Sequence, residues 1–361
     1  MPDGFVMAPV IKQSGSYDTN PLLLLSGAQT LYGSTTAPEL IISDSTPTAR
    51  LKSDTQVDEN IFNIKSFNST DVHSTNSLDI KHTLWGYGIG GQLDYDTTRT
   101  SEISAFGFPT STVRHTGLSA TPRLSYTPSA IDRFDLTANA QSSTYASSRY
   151  TNYTVFSLTP SYAREINPLN TAIINLSARR YSTQNTPRTI TDTFGSSIGW
   201  RATLTPKLSA DALIGGQVTR QKQSGSPATP LSAQLTFSGD ATYKGEQDQT
   251  VLSATRSSTP FANGTDSLLT NFSLTETHEL NTSFSVNAAA SYEFAEYPQT
   301  ATNSLQSLAS GSGGIAYHIT EHVDMTGTYQ YRRESLVGIS QKVDDHSVVF
   351  GFTYHPQAWT L

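Results

Sequence analysis

TSFSVNAAASYEFAEY, residues 282–297, is where the fold is first legible. Phe284, Val286, Ala288, Ala290, Tyr292 and Phe294 fall on one face of an extended segment, and Ser283, Ser285, Asn287, Ala289, Ser291 and Glu293 on the other. Side chains alternate across a strand, so one face is apolar and the other small and polar. The apolar face, roughly 10 residues long, is enough to cross a bilayer as a tilted strand. Asn281 before the run supplies a turn, and Tyr297 and Pro298 after it supply an aromatic rim.

Copies of this pattern fill most of the chain. A first extended segment, Pro9 to Tyr17, leads into a long connection holding Leu22 to Leu25 and Leu31-Tyr32-Gly33. Glu39–Lys52 turns at Ser53-Asp54 into Val57–Asn68, and a polar loop over Asp71–Asn76 follows. Leu78–Leu84 turns near Trp85-Gly86 into a run with Tyr87, Ile89, Gly91, Leu93 and Tyr95 on one face. Hairpins then recur: Val113–Tyr126 with Phe134–Tyr145, Val155–Ile166 with Ala172–Tyr181, and Phe194–Leu204 with Ala210–Arg220. Leu231–Tyr243 pairs with Val251–Ser257, Leu268–Leu274 turns at His278–Asn281 into the opening run, Leu305–Ile319 pairs with Val323–Arg333, and His346–His355 is the last strand.

Turns on one side are short. Connections on the other, such as Thr100–Thr112, Gln221–Pro230, Tyr297–Asn303 and Leu336–Asp345, are longer and polar. That asymmetry and a count of about 18 strands (roughly 16 to 20) predict a closed antiparallel transmembrane β-barrel with both termini on the short-turn side. A single domain over residues 1–361 is expected, since composition does not break along the chain. Thr121-Pro122, Thr159-Pro160 and Thr205-Pro206 recur late in the first strand of a hairpin. Proline lacks a ladder donor, so strand ends or bulges are expected there. A soluble β-sandwich array is the rival, but its strands would average about 5 or 6 residues.

Composition narrows the classes. Charged residues are 15% and hydrophobic residues 36%, and no apolar run is long enough for a transmembrane helix. A barrel needs this mixture, because each strand faces lipid on one side and water on the other. The net charge of -7 leaves no basic footprint for nucleic acid, and the absence of Cys leaves no disulfide framework. Met1-Pro2-Asp3-Gly4 opens without a basic and apolar leader, so export requires a signal peptide removed or omitted.

Alternation sorts the polar residues inward. Asp94, Arg201, Asp211, Gln217, Gln234 and Asp240 are candidate pore-lining residues, as are Asn287, Glu293, Asp324, Gln330 and Arg332. The same rule points Tyr145 and Tyr181 inward, where they either form part of an aromatic girdle or stack on sugar rings. The girdle would further hold Tyr17, Tyr95, Tyr126, Tyr292, Phe294 and Tyr354 near strand ends. His residues are scattered, and no nucleophile with a base, metal set or phosphate loop stands out. No cofactor and no enzymatic activity are expected.

Leu22, Leu23, Leu24 and Leu25, followed by Leu31 and Tyr32, lie in the connection Asn20–Thr36. Consecutive leucines gain nothing from display to water. They fold into the lumen as a constriction, pack against a neighbouring barrel or dock on a partner, unless the first strand simply runs further.

Tyr17-Asp18-Thr19-Asn20-Pro21 resembles the segment that closes the first strand in outer-membrane β-barrel porin families, and in barrels found with exopolysaccharide export systems. The resemblance implies a pore in the outer membrane of a Gram-negative bacterium, without catalytic residues. It implies outer-membrane lipid and lipopolysaccharide as surroundings, with a periplasmic secretion component or a polysaccharide as partners. Three functions fit: a channel for polar solutes or a secreted polysaccharide, a non-conducting scaffold or adhesin, and a sheath around another protein. Short outer loops weigh against the adhesin.

Overall fold

A computed structural model of the chain describes residues 4–98, 112–148, 150–184, 187–261, 264–296, 305–336 and 341–360. Eighteen long strands follow one another: β1 (Gly4–Asp18), β2 (Leu31–Ser45), β3 (Ala49–Phe62), β4 (Ser69–Lys81), β5 (Trp85–Thr98) and β6 (Val113–Tyr126). Next come β7 (Asp132–Tyr145), β8 (Tyr153–Asn167), β9 (Asn170–Thr183), β10 (Thr189–Thr205), β11 (Leu208–Gln223) and β12 (Ser232–Lys244). The last are β13 (Asp248–Pro260), β14 (Asp266–Asn281), β15 (Phe284–Glu296), β16 (Leu305–Thr320), β17 (Val323–Leu336) and β18 (Lys342–Tyr354). Each strand pairs antiparallel with its sequence neighbours, and β1 pairs with both β2 and β18, so the sheet closes on itself. Closure removes the unpaired edges that hydrocarbon would not tolerate. The strands run from 13 to 17 residues, longer than the roughly 9–11 needed to cross, so their ends project beyond the hydrocarbon.

Trp359–Thr360 forms a short terminal pairing with Met7 and Val6, which continues the line of β18 along β1. Gly4 and Thr360, the first and last described residues, lie on the short-turn side. Outward-facing side chains include Phe194, Ile198, Trp200, Ile214, Leu235, Leu252, Tyr292, Phe350 and Phe352, all left exposed by the protein itself. This is the apolar belt that a bilayer covers. Tyr17, Tyr95, Tyr292 and Tyr354 are exposed on it, and Trp85 stacks on Tyr126 at 4.2 Å.

The structure corrects the reading of the first strands. The β2–β3 turn lies at residues 46–48 and not at Ser53-Asp54, which are inside β3. Leu31 and Tyr32 already belong to β2, so the first long connection spans residues 19–30. Asp71–Asn76, read as a loop, sits within β4, and His278–Asn281, read as a turn, closes β14. Loops at Thr100–Thr112 and Tyr297–Asn303 fall almost wholly outside the described residues.

Two of the three Thr-Pro pairs also depart from expectation. Pro122 and Pro160 are strand-interior, and only Pro206 lies in a turn. The β6–β7 ladder steps from Ala120–Ala140 to Arg123–Thr137, and β8–β9 from Leu158–Ala178 to Ser161–Asn175. Pro38 interrupts β2–β3 in the same way, between Thr36–Glu59 and Glu39–Gln56. Register is kept across each gap, because a missing donor leaves residue spacing unchanged. Each proline lies opposite an outward apolar residue: Pro38 faces Ile11, Pro122 faces Ile89 and Pro160 faces Leu136. True register shifts occur mostly at short-turn ends, at Thr203/Thr205 and Glu279/Asn281 among others, and once at a long-loop end, at Leu305/Ser307.

Candidate functional site

The polar residues singled out by alternation occupy strand positions opposite in sense to the exposed apolar belt. Asp94 lies between outward Leu93 and Tyr95; Arg201 and Asp211 face each other across β10–β11, with Nε and Oδ2 4.0 Å apart. Gln217 donates to Gln234 at 2.8 Å, and Ser253 donates to Asp240. Asn287 occupies the space above Gly314, where an added Cβ would meet its Oδ1 at 2.4 Å. Glu293 shares that face, and Asp324 is bracketed by His318 at 2.5 Å and His355 at 3.0 Å near the short turns. Gln330 and Arg332 complete the set on β17.

One sector of this wall is acidic. Successive inward positions on β2–β5 carry Glu39, Asp54, Asp58, Asp71, Asp94 and Asp96 against Lys52 and His73, with Arg114 2.9 Å from Asp71, His115 3.0 Å from Asp96, and Arg50, Asp79 and Lys81 at the short-turn end. His73 lies 2.9 Å from Asp94 and 3.8 Å from Asp58. Lys12 on β1 closes the sector, 2.6 Å from Glu39 and donating to Gln56 at 2.8 Å. Of these carboxylates the sequence singles out Asp94; Asp54 on β3 and Asp71 on β4 sit among polar residues on both faces and read as turn and loop.

Two groups of side chains pack together at the outer end of the barrel. In the first connection, Asn20 acts as a local clamp. Its Oδ1 accepts from the Leu24 amide at 2.9 Å, its Nδ2 donates to the Leu24 carbonyl at 3.1 Å, and its own carbonyl accepts from the Leu23 amide at 2.9 Å. Leu23 is thereby held at φ 53, a left-handed conformation that costs an L-residue about 1–2 kcal/mol. The Asn20 amide donates to Asp345 at 2.8 Å, and Arg332 joins Asp345 (2.5 Å) to Asp18 (3.3 Å). The clamp turns Leu22 onto Leu31, Phe62 and Phe67 in one buried cluster. Leu31 and Phe62 point away from exposed Tyr32 and Ile61, so this cluster lies on the lumen side.

The second group joins strands that lie far apart in the wall. Arg179, inward on β9, donates from Nη1 to Asp266 at 2.7 and 2.9 Å and to Ser258 at 3.4 Å. The Tyr181 hydroxyl donates to the Phe261 carbonyl at 3.4 Å. Strands β10–β12 stand between β9 and the β13–β14 hairpin, a distance of about 19 Å along the wall at ~4.8 Å per strand. The hairpin therefore leans across the lumen to reach β9. Phe261 joins Val113, Tyr145, Tyr150, Tyr153, Val155 and Tyr181 in a buried cluster. Tyr145 and Tyr181 do point inward, but at 8% and 0% exposure neither ring offers a face to a sugar. They are packing partners of the inserted hairpin. Among the described residues no group of three or more His, Cys, Asp or Glu side chains is arranged to hold a metal ion.

This architecture recurs in solved outer-membrane proteins. OccK2 (OpdF) of Pseudomonas aeruginosa is 10% identical over 97% of this chain and 98% of its own, with a TM-score of 0.52. OpdK of the same organism, solved with vanillate, is 8% identical over 98% and 99% of the two chains, with a TM-score of 0.51. The FrpB iron transporter of Neisseria meningitidis (F3-3 variant) is 7% identical over 99% of this chain and 82% of its own, with a TM-score of 0.52. At such identities the likeness is one of fold: the chain is an 18-stranded β-barrel of the outer-membrane type. No family model matches the sequence, and no curated protein matches it either.

Proposed function

We propose that the protein is a channel of the bacterial outer membrane for small polar solutes, with a preference for cations. The acidic sector of the inner wall, from Glu39 through Asp96, carries this reading. Carboxylates lining a low-dielectric wall focus a negative potential into the lumen, raise the local concentration of cations and repel anions. A barrel of about 18 strands is too wide for side chains alone to fill, so a wet lumen needs a selective outer end. The leaning hairpin and the leucine cluster supply one, and a narrowed end favours single solutes over an extended polysaccharide.

The experiment is single-channel recording in planar bilayers under a salt gradient. The expected result is a stable conductance with a cation-selective reversal potential, moved toward zero by Asp58→Asn/Asp94→Asn. Silence in well-folded protein would instead support a scaffold or sheath barrel. Liposome swelling with oligosaccharides of increasing length reads the size limit; uptake independent of length would favour polysaccharide passage.

A further inference from the structure

The wall is incompletely laced beside the leaning hairpin. The β11–β12 ladder runs out to Thr219–Ser232, and the β13–β14 ladder to Pro260–Asp266. Between them the β12–β13 ladder ends at Phe237–Arg256. Above that pair, residues 232–236 of β12 and 257–260 of β13 are joined by no ladder, because the hairpin has moved toward Arg179. The result is a seam in the barrel wall.

Its height matters. Arg256 is eight residues beyond Asp248, where β13 leaves its short turn. At ~3.3 Å per residue along a strand tilted about 40°, this places it ~20 Å above the turn, within an apolar band about 25 Å tall. The unlaced residues 257–260, nine to twelve positions beyond Asp248, lie ~23–30 Å above the turn on the same scale, across the outer edge of the band.

Arg256 straps the lower end. It lies on the outward side, opposite Phe237 and Thr270. An arginine facing lipid is unfavourable, and this one is kept 17% exposed by its acceptors. Nε donates to the Leu235 carbonyl at 3.2 Å, Nη1 to Thr270 Oγ1 at 2.9 Å, and Nη2 to Glu296 Oε2 at 2.8 Å. The Leu235 carbonyl belongs to the part of β12 that the ladder no longer joins. The guanidinium substitutes for the missing strand at one point and leaves the seam above it unlaced.

Apolar and polar surfaces meet here at one height. Outside lie Leu231, Leu235, Val218 and Phe194, all exposed. Inside lies the Gln217–Gln234 pair. We propose that the seam is a lateral opening through which single-chain amphiphiles pass between the lumen and the membrane. The alkyl chain follows the leucine-lined outer face, and the head group is received by the two glutamines. This goes beyond passage of polar solutes along the barrel axis.

The chain has no Cys, so single thiols can report on the seam in proteoliposomes. Thr236→Cys lies just above the last ladder pair, and Ser238→Cys just below it on the same inner face. The probe is N-dodecylmaleimide dissolved in the bilayer, with a sulfonated, membrane-impermeant maleimide as the aqueous control. The proposal expects the dodecyl reagent to label Thr236→Cys about tenfold faster than Ser238→Cys, a difference of ~1.4 kcal/mol in barrier. Equal labelling by the dodecyl reagent overturns it. Should Thr236→Cys fail to fold, Ser232→Cys, on the same inner face above the last ladder pair, takes its place with the same expectation. Labelling of neither thiol by the aqueous reagent would count against the channel reading alone, since the seam is read from the dodecyl ratio.

Discussion

Arg179 on β9 and Asp266 on β14 form an ion pair at 2.7 Å although four strands of wall lie between them. The Asp266 side chain is 1% exposed and that of Arg179 16%. Such a pair holds its geometry because each charge, once desolvated, depends on the other.

The first prediction concerns this clamp. Removing one partner from a buried pair costs about 3–5 kcal/mol, whereas replacing both by apolar groups is often neutral. Arg179→Ala or Asp266→Ala should release the hairpin and raise single-channel conductance, with the barrel still resistant to unfolding. Arg179→Met/Asp266→Leu should return conductance toward that of the parent by restoring packing without charge. Single variants with unchanged conductance would show that the hairpin does not limit flow.

The clamp also marks where sequence reading stops. Alternation along Phe284–Glu296 or Val323–Leu336 reports which face meets lipid, because each step of the backbone inverts the side chain. Inward Asn287, Gln330 and Arg332 follow from that local rule. β3 defeats it in part: its outward Ser53 and Thr55 are as polar as its inward Asp54 and Gln56, so no period of two remains and a polar turn looks the same. The leaning hairpin has no local signature. Arg179 and Asp266 are 87 residues apart, and nothing in either strand names the other. The Asn20 clamp lies between these cases, since Asp18 and Asn20 stand in the resemblance motif while their partners, Arg332 and Asp345, lie more than 300 residues further along the chain.

A second prediction tests the leucine loop. An added Cβ at Gly33 would lie 2.5 Å from the Phe62 ring and 2.2 Å from the Ile61 carbonyl. Gly33→Val should therefore push Phe62 out of the cluster it shares with Leu22, Leu31 and Phe67. Replacing residues 22–29 by a Gly/Ser linker removes the plug without touching β2. Both changes should raise conductance and sensitise cells to large antibiotics, while heat-modifiable mobility is kept. Unchanged conductance in the folded linker variant would assign the leucines to an interface instead.

A third prediction follows from the acidic sector. His73 is held between Asp58 and Asp94, so neutralising both acids removes its partners as well as the local negative potential. Asp58→Asn/Asp94→Asn should lower cation preference more than Asp211→Asn/Asp240→Asn, which removes the same charge from the opposite arc, read from reversal potentials. Equal effects would mean that net charge, and not the sector, sets preference.

The last prediction tests the two faces directly. Val286 and Phe350 lie on the outward side, with Phe350 exposed and packed edge-on against Phe352 at 5.1 Å. Arginine on the lipid face costs about 2–4 kcal/mol near the bilayer midplane and about 0–1 kcal/mol near its edges, so Phe350→Arg should impair assembly, and Val286→Arg, two residues from the start of β15, should do so more weakly. Asn287 is one residue away but points inward over Gly314, whose missing Cβ leaves the room its side chain fills. A longer side chain there extends into the lumen, where water and neighbouring acids solvate a guanidinium. Asn287→Arg should therefore assemble normally and shift ion preference toward anions. Gly314→Val should behave in the opposite sense, because its branched side chain competes with Asn287 and with Thr328 Oγ1, which an added Cβ would meet at 3.1 Å. Heat-modifiable mobility on gels reads assembly, and reversal potential reads preference. If the arginines at 286, 287 and 350 impair assembly alike, the assignment of inner and outer faces is wrong.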